Sequence, residues 1–402
     1  MLRESCYYYI INRLLLRRII ILDNIEKILK YNETDAYDNH IRKKLTYDGL
    51  NKTWVYNIRV NVFCGDQIYE IINVINYMDK VYRQKMPITF CCNSFEFSDK
   101  LVYVILECIC YYLVQVRNQR VFVNFNAKHT IWSEGIMFSP LCYMRDKKMF
   151  LSKYRGGLNG RHYRKIVPAV ASDESDLSKI MQEILCFLQN NGVSERSSEE
   201  LSEMLIELVG NSREHAYSDT LIDIDLTSST YTKEDDNNVF YGMNTAILNF
   251  SDKLFYEPLK EKISSGIDLP EKYDLVNIAY DFHKDFFTKN YDEKDFFMVS
   301  SFQDKISGSM KKKMGGRGLT TLITSLEEKA DTHLCYVLSG NTVMFFVQDL
   351  LKYDDNKLVG FNQSGNYLSE IPDKNVIKKI STFFPGTSYN LSFVIKKEWT
   401  LE

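Results

Sequence analysis

The chain has 402 residues, room for two domains, and 45% hydrophobic against 26% charged residues marks an ordinary globular protein rather than a disordered one. The 50 Lys and Arg against 53 Asp and Glu leave a formal net charge of -3, so a globally basic nucleic-acid binder is excluded and nucleic acid is not indicated as a partner. Nine cysteines, most of them in apolar runs such as "LECICYYL" and none in a CxxC pair, argue against a zinc ribbon and for buried free thiols in a reducing cytoplasm.

The stretch "YYYIINRLLLRRIIIL" contains Arg13, Arg17 and Arg18 and falls short of the ~20 apolar residues a membrane span needs. No small residues follow as a signal-peptide cleavage site would require. Residues 1–54 are therefore expected to pack on the body as a helix or strand, with a membrane-surface or partner-binding helix as the alternative. From 55 to about 150 a small α/β domain is expected. It has a strand at "WVYNIRVNVF", a helix through "QIYEIINVINYMDKVYRQ", and a strand "PITFCCNSFEF". A helix "SDKLVYVILECICYYLVQVRNQ" capped by Ser98 or Asp99 follows, then a buried strand "RVFVNFNA" and a short helix "IWSEGIMF". The stretch "KYRGGLNGRHYRKIVP", within residues 151–169, is rich in Gly, Arg and Lys and reads as a linker or a basic patch.

Beyond 170 the pattern becomes helix, helix, then strands, as in an α+β sandwich of helices on a mixed, mostly antiparallel sheet. "DESDLSKIMQEILCFLQNNG" and "SSEELSEMLIELVGNSREHAYS" are the helices, and "LIDIDLTSSTY" and "VFYGMNTAILNF" the strands. A polar insertion, with a lid, covers about 256–317. "GGRGLTTLITSLEEKA" is a glycine turn entering a helix, "HLCYVLSGNTVMFFVQDL" a hairpin turning at Gly340-Asn341, and "GTSYNLSFVIKK" the last strand.

The second helix carries the chemistry. Ser197 and Glu200 have capping-box spacing, and Leu201, Met204, Leu205, Leu208 and Ser212 form its apolar stripe. Glu207 and Asn211 lie one turn apart beside that stripe, a carboxylate able to take a proton from water and an amide oxygen suited to Mg²⁺. Two later segments could complete a pocket. The strand "AILNFSDKLF" breaks at Asn249, with Ser251 and Asp252 in the turn, where polar side chains could read the edge of a base. In "KKKMGGRGLTTLI", Gly315, Gly316 and Gly318 allow an anion close approach to the backbone, and the helix opening near Leu319 turns its positive end there.

"ELVGNSREHA", "ILNFSD", "GGRGL" and "CYVLSGNTVMFF" together resemble the N, G1 and G2 boxes and closing strands of the GHKL ATPase (Bergerat) fold, over about 170–402. The resemblance implies ATP and Mg²⁺ as cofactors, Asn211 as the metal ligand and Glu207 as the water-activating catalytic base. It implies nucleotide contacts from Asn249 or Asp252 at adenine. Lys313, Gly315, Gly316, Arg317, Gly318 and Leu319 would lie around the phosphates, with His215 at the pocket wall. The usual G1 motif, DxGxG, is altered: Asn249 stands where Asp reads adenine, and the glycines are missing. The α/β unit upstream resembles a STAS domain at the level of pattern. Three functions follow as expectations: a Mg²⁺-dependent ATPase acting as a conformational switch, an anti-sigma-factor-like serine kinase, or a non-hydrolysing nucleotide sensor. On resemblance, the setting is a bacterial regulatory or phage-defence system, in the cytoplasm, with a protein partner or a homodimer.

Overall fold

The computed structural model describes residues 24–34, 38–82, 85–128, 130, 133–169, 175–228, 230–233, 236–309, 318–329 and 334–396. A helix over 24–31 (α1) and a second, Asp38–Lys44 (α2), lead into a short hairpin of β1 (Leu45–Asp48) and β2 (Thr53–Ile58). Then come β3 (Val62–Phe63), α3 (Gly65–Tyr82), β4 (Ile88–Phe97), α4 (Lys100–Tyr111) and β5 (Val121–Ala127). β4 lies parallel to β2, β3 and β5, whereas β1 and β2 are antiparallel. The expected strand–helix–strand unit is present, but its sheet starts at Leu45, ahead of the boundary at 55.

The next elements are α5 (Lys147–Arg155), β6 (Gly156–Asn159), β7 (His162–Val167), α6 (Ser175–Asn190), α7 (Glu195–Ala216), β8 (Thr220–Leu226), β9 (Tyr231–Lys233) and β10 (Asp236–Asn249). Then follow α8 (Glu257–Ser264), α9 (Lys272–His283), α10 (Glu293–Ser300), α11 (Gly318–Lys329), β11 (Tyr336–Phe345) and β12 (Ile377–Lys396). The strands form a seven-stranded sheet in the order β11-β12-β10-β8-β7-β6, with β9 also on β10.

Several sequence expectations need correction. Every described pairing in the second sheet is antiparallel, so it is not mixed; the parallel pairs belong to the first sheet. The 151–169 stretch is not a linker: most of it completes α5 and builds the β6–β7 hairpin at the sheet edge, because its Gly-rich centre supplies the turn between alternating residues. Of the expected insertion, 256–309 holds three α-helices whose inner faces, including Tyr273, Val276 and Phe296, join the main core together with Phe302 just beyond α10. Gly340-Asn341 makes no turn. β11 runs on through it, and Gly340, at φ +59°, absorbs a register shift against β12. The cap of α7 is Ser194, whose hydroxyl accepts from Ser197 N at 3.2 Å, three residues ahead of the expected start.

The two sheets are not separate bodies. α4 is buried around its whole circumference, its two charged residues Lys100 and Glu107 included, because it lies with α3 between the sheets. Strand alternation sorts the second sheet's residues. Leu221, Ala246, Leu248, Phe250, Leu338 and Phe384 face α3 and α4; Ile222, Ile224, Met243, Ile247, Tyr389 and Leu391 face the helical layer of α6, α7 and α11. Burying each large apolar side chain contributes about 1.5–3 kcal/mol.

A buried ionic cluster crosses the first of these layers. Lys100 at the start of α4 binds Asp225 and, at 2.6 Å, Asp223, both on β8. Arg164 of β7 bridges Asp223 at 2.8 Å and Glu107 of α4 at 2.5 Å, while His162 reaches Asp223 at 3.0 Å and Asn244 donates to Asp225 at 3.1 Å. Burial would raise the Asp223 carboxyl, but Lys100, His162 and Arg164 together hold it well below the usual carboxylate range. For Glu107 burial prevails over Arg164 and its carboxyl is raised. The chain passes so close at Gly135 that a Cβ there would stand 2.1 Å from Asp225 Oδ1.

The eight described cysteines are all free thiols; only Cys108, Cys110 and Cys335 are fully buried, and Cys142 and Cys186 are exposed, against the expectation for them. Among the described residues no helix is long and apolar enough to cross a membrane. The apolar stretch before residue 23 lies outside the described residues, but α1 behind it docks on the body, with Asn32 exchanging hydrogen bonds with the Phe383 backbone at 2.6 and 2.8 Å.

Candidate functional site

The helical layer and the second sheet do not meet everywhere. Leu201, Met204, Leu205 and Leu208 of α7 are fully buried against the sheet, but beside that stripe the polar residues Glu207 and, one turn on, Asn211 face a cavity. It opens to solvent and leaves about 70 Å³ of room for the centres of water-sized molecules. Neither the Glu207 carboxylate nor the Asn211 amide has a hydrogen-bond partner among the described residues. Glu203, one turn earlier, is exposed and apart from the cavity, and Glu214 accepts the Ser309 hydroxyl.

The sheet supplies the second wall. Asn249 ends β10, paired with Thr220 of β8 on one side and Thr387 of β12 on the other. It alternates onto the same face as Met243 and Ile247, so its side chain points to the α7 side, where apolar filling stops. Thr387 and Tyr389 of β12 flank it. The third wall is the start of α11: Leu319 and Thr320 line the cavity from the first turn, and Gly318 opens the helix, so the positive helix end borders the space. The segment between α10 and α11 closes it with Ser301, Gln303, Ser307 and Gly308. Gln303 is locked by Val359, donating to its carbonyl at 3.0 Å and accepting its N–H at 2.8 Å, so it is a rigid wall. Lys253 brings a cation to the rim; hydrogen bonding to Glu261 raises its pKa, so it stays charged.

Glu207, Asn211, Asn249 and Leu319 are thus brought together. Asp252 is not among the residues lining the cavity: it pairs with Lys27 of α1 at 2.5 Å, with Tyr31 donating at 3.3 Å. Lys313, Gly315, Gly316 and Arg317 lie outside the described residues, as does the side chain of His215 in the last turn of α7. Sequence patterns did not single out Lys253, Thr387, Tyr389 or Gln303. The "GTSYNL" strand start was the one visible signal, and it marks a strand without marking a wall.

Among the described residues no group of three or more His, Cys, Asp and Glu could hold a metal unaided. Asn211 offers a hard amide oxygen on one wall, which suits a cation that draws its other ligands from a phosphate and from water, as Mg²⁺ does. Comparison of the chain with known protein families, with curated proteins and with solved structures finds no match.

Proposed function

We propose that this cavity binds a purine nucleoside triphosphate together with Mg²⁺ and hydrolyses it, ATP being the ligand that the sequence resemblance to GHKL ATPases names. The observation carrying the proposal is that four residues from three distant segments, Glu207 and Asn211, Asn249, and Leu319, line one cavity in which the two polar groups on α7 are unpartnered. Asn211 would hold the Mg²⁺ with the phosphates; bound there, the ion would neutralise phosphate charge. Glu207, one turn away, would take a proton from the attacking water. The α11 N-terminus and Lys253 would meet the negative charge. Because the opposite face of the same sheet packs on α3 and α4, a change at the cavity has a solid route to the amino-terminal unit, which supports a switch role in a bacterial regulatory or defence system with a protein partner.

Calorimetric titration of ATP with and without Mg²⁺, on the wild type and on Asn211→Ala, tests it. Mg²⁺-dependent binding that the variant loses by at least tenfold is expected. Absence of nucleotide binding by the wild type would refute the proposal. Label from the γ-phosphate appearing on protein instead of in solution would make the reaction a protein kinase's.

A further inference from the structure

Asn249 is 1% exposed, yet only half of its carboxamide is used. Its Oδ1 lies 3.0 Å from the backbone N of Thr387. A backbone N–H can only donate, so the atom facing it must be the amide oxygen, and this fixes which way the carboxamide is turned. The oxygen is walled in by main chain as well. Gly386, at φ +105°, brings β12 so near that a Cβ there would stand 2.7 Å from Asn249 Oδ1 and 2.5 Å from its carbonyl oxygen. The NH₂ group therefore points the other way. It has no partner among the described residues. Asn249 lines the cavity, on the face of the sheet that meets α7.

A buried amide NH₂ needs an acceptor. The sequence resemblance puts adenine here, but the 6-amino group of adenine is itself a donor, and two facing donors leave both unsatisfied. A 6-oxopurine, guanine or hypoxanthine, presents a carbonyl oxygen at the same position. We infer that Asn249, oriented by Thr387 and Gly386, selects a 6-oxopurine nucleotide over an adenine nucleotide, an inference that rests on the nucleotide assignment of the cavity.

The test is calorimetric titration of the full chain with the Mg²⁺ complexes of ITP, GTP and ATP. ITP and ATP compare an oxygen with an amino group at purine position 6. ITP and GTP should bind about tenfold more tightly than ATP, the effect of one buried hydrogen bond. Asn249→Asp keeps an oxygen for the Thr387 N–H and turns a second acceptor to the cavity, so its preference should invert towards ATP. ATP binding to the wild type as tightly as ITP would overturn the inference and leave the nucleotide site standing. No binding of any of the three would refute the site itself, and the base selection with it.

Discussion

Glu207 and Asn211 share one wall of the cavity, yet their removal should look different. Glu207→Gln keeps the shape and hydrogen-bonding reach of the side chain and removes its basicity. Phosphate release measured on this variant should fall at least a hundredfold while nucleotide affinity stays within a few-fold, the range general-base removal covers. Unchanged turnover would mean that another group activates the water. A second single-residue effect lies far from the cavity. His283 at the end of α9 is fully buried; its Nε2 donates to the Tyr367 carbonyl at 2.9 Å, and its Nδ1 accepts the Tyr291 hydroxyl at 2.6 Å. Burial lowers its pKa below the usual 6.5, with the Tyr367 contact opposing in part. The neutral ring is the folded form. Its stabilisation is fully present above about pH 6.5 and is lost as the pH falls through the lowered folded value, because only the unfolded chain then takes up the proton readily. The melting temperature should drop between pH 7 and pH 5, and His283→Gln should flatten that slope.

Helices and strands here are placed by burial first and by polar pairing second. α4 is the clearest example: its residues Lys100–Cys110 are all buried, a cation and a carboxylate among them, and those two charges fix how the helix sits on the second sheet. Lys100 sits between Asp223 and Asp225, which alternate on β8 with Ile222 and Ile224 so that acids face α4 and aliphatics face α7. Breaking a buried ion pair by deleting one partner leaves an uncompensated charge. Lys100→Met should destabilise the protein by about 3–5 kcal/mol in chemical denaturation. A loss under about 1 kcal/mol, the range of exposed pairs, would show that water reaches the cluster.

Across the molecule the layers run from the first sheet through α3 and α4 and the second sheet to the outer helices, and no layer is free-standing. The seven-stranded sheet loses the cover of one face without α3 and α4, and its edge hairpin β6–β7 grows directly from the end of α5. The chain is therefore expected to unfold in one cooperative transition. Hydrogen exchange read separately on β4 and on β10 should report the same opening free energy. Protection that differed by several kcal/mol would mean two independently folding units. The same packing places the amino-terminal half one layer away from the cavity.

Much of this was written in the chain. Periodicity placed α3, α6, α7 and β4, β5, β10 within a few residues, because each buries a face that its own sequence must pattern, whereas α4 and β8 end earlier than expected. Glu207, Asn211, Asn249 and Leu319 stood out by residue type and spacing, and the fold does gather them. The errors came where neighbours decide. Gly340-Asn341 carries a turn signal, yet β12 is long enough to pair on both sides of it, so the same residues make a bulge. Gly-rich residues 156–160 look like a linker until β8 offers an edge for β7. Asp252 and Asn249, three residues apart, differ only in what reaches them: Lys27 for one, the Thr387 N–H for the other. The sequence by itself determined the long amphipathic helices and buried strands and which polar residues are candidates, since backbone preference and amphipathic period act over a few residues. Tertiary structure decided which of those candidates share a cavity and which way an amide is turned, since such pairings join residues far apart in the chain and are settled only when the layers close on one another.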